Sequence, residues 1–229
     1  MAEKKYQFLD TTQLKLTALF TMVLDHVGDN FFPDQLWMRA AGRIAMPVFA
    51  FCTAQGYRHT RNKIRYLVRM TVFALISEIP FDLVTAGRIS DFSHQNIMFT
   101  FAWAIAGLML YEKIIRDGSS KGRNAAGAAV LLLFCLLSVF LRLDYSLLAS
   151  GLVFIFYVSG SKSLFRGNIF GMLYHVICRN MGIHWFGLLG FVPLFLYNGK
   201  RGRGLKWLFY VFYPGHLLLI YLIRSLALH

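Results

Sequence analysis

Apolar residues run along this chain in long stretches, separated by short segments rich in Lys, Arg, Gly and Asn. A helix crossing the hydrocarbon of a bilayer needs about 20 mostly apolar residues. The pattern predicts such helices over Leu14–Phe32, Leu36–Tyr57, Ile64–Val84, Asn96–Ile115, Ala125–Leu141, Tyr145–Val158, Leu164–Cys178, His184–Tyr197 and Trp207–Leu226. The sixth, seventh and eighth are short, and their glycines suit tilted or re-entrant pieces that approach their neighbours closely. No soluble domain, internal repeat or low-complexity tract interrupts the series. The expected fold is all-α: a polytopic membrane bundle of about nine spans, with residues 1–229 forming one membrane domain.

Composition strengthens this reading. The chain is 57% hydrophobic and 16% aromatic, with 15% charged residues, against roughly 25% charged in a soluble domain. The formal net charge of +13 is not evenly placed. With nine spans, 18 of the 24 Lys and Arg fall on one side, among them Lys15, Arg58, Arg61, Lys63, Lys200, Arg201 and Arg203. The positive-inside rule assigns that side to the cytoplasm, with the amino end inside and His229 outside. Topology and attraction to anionic lipid account for these charges; a basic mouth for an anionic nucleotide cofactor accounts for them as well. Nucleic acid is excluded as a partner, because the charge lies in short loops against a membrane. No cleavable signal peptide is expected, since charged residues precede the first span and no small-residue cleavage site follows a short apolar core. Cys52, Cys135 and Cys178 fall within spans without metal-like spacing and read as packing thiols.

The candidate chemistry sits inside the apolar stretches. Asp25 and His26 lie in the first, Arg39 and Arg43 in the second, Glu78 and Asp82 in the third, and His216 in the last, after Tyr213-Pro214-Gly215. Asn96 opens the fourth, and Asp144 and Tyr145 mark an outer turn. Ionised groups in hydrocarbon are costly and usually face a bundle interior for a purpose. At about 1.5 Å per residue, His26 lies about 18 Å along its span and Glu78 about 21 Å along its own, so both fall in the outer half. Arg39 and Arg43 share a helix face, as do Glu78 and Asp82, and an ion-pair ladder between the two helices is the structural account of all four. Asp25 and His26 point about 100° apart; pairing of Asp25 with an arginine leaves His26 free for proton transfer near neutral pH. His216 either has a functional role of its own or satisfies backbone groups freed by Pro214. His59, in the basic inner segment, is either a solvated loop histidine or a phosphate contact.

Taken in order, these residues resemble the TraX family. The resemblance rests on Leu14-Lys15 followed by Asp25-His26, on Gly42-Arg43-Ile44-Ala45-Met46-Pro47-Val48-Phe49, and on Gly56-Tyr57 with His59-Thr60-Arg61-Asn62. It continues through Ser77-Glu78-Ile79-Pro80-Phe81-Asp82, Gln95-Asn96, Asp144-Tyr145, Tyr197-Asn198-Gly199 and Phe212-Tyr213-Pro214-Gly215-His216. Met46 replaces a frequent phenylalanine and Gln55 a common glutamate. The resemblance implies a membrane acetyltransferase of the bacterial inner membrane, of the kind that acetylates the amino terminus of pilin with acetyl-CoA as donor. The acceptor would be an amine on a protein terminus, peptide or amino sugar, or a hydroxyl.

Transfer of this kind fits the residues. Arg58, His59, Arg61, Lys63, Asn198, Lys200, Arg201 and Arg203 are the expected CoA contacts. His26 is the expected general base, Arg43 or Asn96 the donor to the thioester oxyanion, and Asp25, Glu78, Asp82 and His216 their supports. No metal is expected. A proton-coupled small-molecule transporter is the alternative, with helices broken at Pro47, Pro80 and Pro214 around a substrate site. A scaffold with purely structural ion pairs is a third.

Overall fold

The structure, a computed structural model, describes residues 6–117, 122–178 and 182–227. Lys4, Lys5, Lys121, Arg179, His229 and the side chain of Lys206, which entered the topology argument, lie outside what is described. The described residues form helices joined by turns and loops, with no strand and two isolated bridges among them, Leu9 to Tyr197 and Gln95 to Leu143. The helices are α1 (Thr11–Phe31), α2 (Leu36–Gly42), α3 (Ala45–His59), α4 (Lys63–Thr85), α5 (Ile97–Asp117), α6 (Arg123–Phe140), α7 (Ser146–Gly160) and α8 (Leu164–Cys178). A 3₁₀ segment (Ile183–Gly190), the short α9 (Phe191–Phe195) and α10 (Lys206–Ala227) complete the order. Each apolar stretch therefore coincides with one helix or a broken pair. Among the described residues, three helices are long and apolar enough to cross a membrane, over Ile97–Arg116, Arg123–Phe140 and Trp207–Ala227.

Local signals explain the starts. Asp10 caps α1 by accepting from the Gln13 amide at 2.8 Å, while the Gln13 side chain accepts from the Asp10 amide at 2.9 Å, a reciprocal capping box. Asn62 caps α4 by accepting from the Arg65 amide at 2.8 Å. The breaks are less expected. The second stretch divides at Arg43-Ile44, ahead of Pro47 in the first turn of α3, where proline is tolerated. Pro80 and Pro214, by contrast, lie inside continuous helices, so the expectation of breaks there is corrected.

Helix α3 runs through the middle of the bundle, buried from Ala45 to Tyr57 on most faces. Phe51 meets Phe156 of α7 and Tyr197 edge-on, each pair 5.3 Å between ring centres, and Leu14, Ile105, Leu108, Leu152 and Leu194 complete the packed interior. The outer faces are apolar too. Val68, Val72, Leu75, Ile76 and Ile79 on α4, and Leu132, Leu133, Leu136 and Val139 on α6, are exposed. Contiguous apolar surface on this scale marks a face that contacts membrane or another protein.

Candidate functional site

Asp25 and His26 are adjacent on α1, and the turn of the helix sends them to different neighbours. Asp25, 8% exposed, faces α2. It pairs with Arg39 at 2.9 Å and with the Nη2 of Arg43. Arg43, 7% exposed, also donates from Nη1 to the Tyr145 hydroxyl at 2.5 Å and from Nε to the Arg39 carbonyl at 3.3 Å. Gly42 permits this approach: a Cβ there would lie 2.2 Å from the Asp25 Cβ. Tyr145 reaches Arg43 from a turn in which Arg142, Tyr145 and Ser146 all have positive φ, Tyr145 at 50°. Such a conformation costs a bulky residue on the order of 1–3 kcal/mol and is kept where the surroundings determine it. The two arginines therefore pair with Asp25, not with Glu78 and Asp82. The ladder predicted between the second and third stretches does not form.

Glu78 and Asp82 serve the α4–α5 connection instead. Glu78 accepts from both the backbone and the side-chain amide of Asn96, the backbone bond being 3.3 Å. The Asn96 amide also donates to the Ala74 carbonyl at 2.9 Å, and its oxygen accepts from the Met98 amide at 3.0 Å. Both amide hydrogens of Asn96 are thus engaged, so its expected role as an oxyanion donor is corrected to that of a helix-start anchor. Asp82 accepts from the Asp91 amide at 2.8 Å and orders the loop between the helices.

His26 meets His216 of α10. Its Nδ1 lies 2.8 Å from the His216 Nε2, and the His216 Nδ1 lies 2.9 Å from the Phe212 carbonyl one turn back. The ring centres are 5.1 Å apart with planes only 13° from parallel. With the nitrogens so much closer than the centres, the rings sit edge to edge in nearly one plane, the arrangement of an N–H···N bond. His26 is partly exposed.

Below this pair lies a cavity of about 730 Å³ enclosed by α1, α3, α4, α5 and α10, within the roughly 300–1,000 Å³ of small-molecule sites. At its mouth stand Lys15, His59, Arg61, Arg201 and Arg203. The loop bearing the last two is pinned beneath α1: Thr12 donates to the Arg203 carbonyl at 2.6 Å, and the Thr11 amide to the Lys200 carbonyl at 3.0 Å. Glycine at 202, with φ +67°, lets this loop press against the Asp10 carboxylate. Arg69 also lines the cavity, between the rings of Tyr66 and Tyr210 at 5.6 and 5.2 Å. At the inner end are Met22, Ile97, Met98 and Tyr213. Met22 is one turn before His26, about 6 Å along the axis, and the Tyr213 ring lies 5.7 Å from that of His216.

Four residues expected at a CoA site lie elsewhere. Arg58 donates to the Phe156 and Tyr157 carbonyls at 3.2 and 2.6 Å, covering the end of α7. Lys63 donates to the Tyr57 carbonyl and sits over that ring. Asn198 accepts from the Lys200 amide at 2.8 Å and donates to the Phe8 carbonyl at 3.2 Å, shaping the turn. Lys200 contributes backbone contacts outside the cavity wall. Two unsatisfied donors do line the cavity, and sequence reasoning did not assign either. The Gln55 Nε2 and the Arg69 Nε are buried without a hydrogen-bond partner. Gln55, 4% exposed, uses its oxygen to accept from Arg58 at 3.2 Å. A buried donor without a partner costs about 1–3 kcal/mol, so both suit a ligand bearing acceptor oxygens. Among the described residues, no three His, Cys, Asp or Glu side chains gather to hold a metal.

The fold and site define a helical membrane protein with a charged interior and a basic-mouthed cavity. A family model described as TraX protein matches residues 10–224, and the chain belongs to that family. It is similar to the probable fimbrial assembly protein FimC, serogroup H1, of Dichelobacter nodosus, at 27% identity over 91% of this chain and 93% of that protein. An uncharacterized protein of Rickettsia prowazekii (strain Madrid E) is 31% identical over 44% of this chain and 40% of its own length. No solved structure matches.

Proposed function

We propose that this protein is a membrane acetyltransferase. It takes acetyl from cytosolic acetyl-CoA and delivers it to an amine or hydroxyl in the opposite half of the bilayer. Nine crossings with the amino end in the cytoplasm place the basic mouth where the nucleotide is. The observation that carries the reading is the cavity itself: it enters at Lys15, Arg61, Arg201 and Arg203 and ends one helical turn from the His26–His216 pair. Arginines offer paired donors to phosphate. Gln55 and Arg69 offer donors to the amide oxygens of a pantetheine arm. Met22, Met98 and Tyr213 make an apolar end that suits a thioester.

In this reading His26 accepts the proton of the attacking nucleophile. The nucleophile bonds to the acetyl carbon, the carbon–sulfur bond breaks, and the thiolate regains a proton. Arg43, held by Tyr145 and by Asp25, the chain neighbour of His26, is the group assigned to favour the developing oxyanion. The name of the Dichelobacter relative, a fimbrial assembly protein, supports a fibre-subunit amino terminus as acceptor.

Calorimetry of acetyl-CoA against the purified protein tests the first half. Saturable binding is expected, weakened about tenfold for each of Arg61, Arg201 and Arg203 neutralised, or about 1.4 kcal/mol per lost contact. His26→Ala should retain this binding and lose transfer to an amine acceptor. A folded protein that binds no acetyl-CoA sinks the proposal.

A further inference from the structure

The histidine pair has a direction. A carbonyl oxygen only accepts, so the 2.9 Å contact with Phe212 requires the proton on the His216 Nδ1. In neutral His216 the Nε2 then carries a lone pair. The 2.8 Å contact to it requires the proton on the His26 Nδ1. Neutral His26 is left with its lone pair on Nε2, which has no protein partner among the described residues. The backbone of α10 thus sets, through two rings, which nitrogen of His26 is basic.

We infer that His216 is a positioning residue that fixes the tautomer of His26, so that Nε2 of His26 is the base atom, and that it shares the proton taken up there. This rests on the acetyl-transfer reading for its purpose. The step balances. The nucleophile loses a proton, which forms an N–H bond at the His26 Nε2. The Nδ1 proton of His26 passes to the His216 Nε2, and the positive charge moves to His216, whose Nδ1–H stays on the Phe212 carbonyl. Return of the proton to the leaving thiolate reverses both shifts. Asp25 is committed to Arg39 and Arg43 and gives His26 no carboxylate of its own.

The test is nitrogen NMR of protein labelled with ¹⁵N-histidine, with His26 assigned by the signal lost in His26→Gln. The wild type should show His26 protonated at Nδ1 and bare at Nε2. His216→Gln places an amide oxygen near the lost Nε2 and should keep that tautomer. His216→Asn cannot reach and should lose it, with transfer falling about 10²-fold, the low end of a general base's contribution. A wild-type His26 protonated at Nε2, or an unchanged tautomer in His216→Asn, overturns the assignment. The spectrum needs no acetyl donor, so the two readings fail separately. Acetyl-CoA binding with the wrong tautomer rejects the pair's role alone. The right tautomer without acetyl-CoA binding rejects the transfer reading alone.

Discussion

Asp25 shows how a single buried charge decides local stability. It is 8% exposed and neutralises Arg43, which is 7% exposed; removing one partner of such a pair leaves the other uncompensated, at about 3–5 kcal/mol. Asp25→Ala should therefore lower the thermal midpoint in detergent sharply. The double variant Asp25→Asn with Arg43→Met should recover most of the loss, since neither ion then remains. Arg39, with 27% of its side chain exposed, should cost about 1 kcal/mol or less when truncated. Equal losses for Arg39→Ala and Asp25→Ala would contradict this ranking. The presence of buried charge was legible in the sequence, because Asp, His and Arg stand out against apolar runs. The partners were not. Four-residue spacing aligned Arg39 with Arg43 and Glu78 with Asp82, but spacing within a helix says nothing about which helix lies opposite. Tyr145 was placed at an outer turn, but its bond to Arg43 was not legible, because it depends on a turn with φ near 50°. The donors of Gln55 and Arg69 became apparent only once burial showed them unpartnered.

Among the elements, the α6–α7 turn carries the clearest pH consequence. Asp144 lies in it, and burial pushes its carboxyl up to about 6 from an ordinary 3.8, against a smaller opposing pull from the Tyr145 amide and Arg43. A carboxyl raised on folding favours the folded state below its ordinary value and loses that contribution as pH rises through about 6. Asp144→Asn keeps an oxygen for the Tyr145 amide, 2.9 Å away, and removes the charge. It should raise the thermal midpoint above pH 7 and flatten its change between about pH 4 and pH 6. A variant that follows the wild-type curve would show that Asp144 is not responsible. Helix positions were largely legible, since each long apolar run became a helix. The division at Arg43-Ile44 was not, because Pro47 marked the wrong residue. Nor was continuity through Pro80 and Pro214. A proline removes one backbone bond, and both helices run on through that loss.

For the whole molecule, the charge asymmetry and the cavity make one topological claim. Thr11 and Lys15 of α1, His59 at the end of α3 and Arg61 just after it, and Arg201 and Arg203 before α10 meet at one mouth. Asp25, Arg39 and Tyr145 gather toward the far end of α1. The positive-inside rule sends the first group to the cytoplasm, and only that side holds acetyl-CoA. If the same mouth faced outward, the cavity would open away from its donor, and the acetyl-transfer proposal would fail on geometry before chemistry was considered. Single cysteines at Arg61, Arg203 and Ser93, in a background lacking Cys52, Cys135 and Cys178, decide the matter. A membrane-impermeant maleimide added to intact cells should label only the cysteine at 93, in the exposed α4–α5 loop. The other two should react only after the membrane is opened, and acetyl-CoA should slow their labelling there. Labelling at 61 and 203 from outside would reverse the orientation and favour a site that draws its ligand from beyond the membrane.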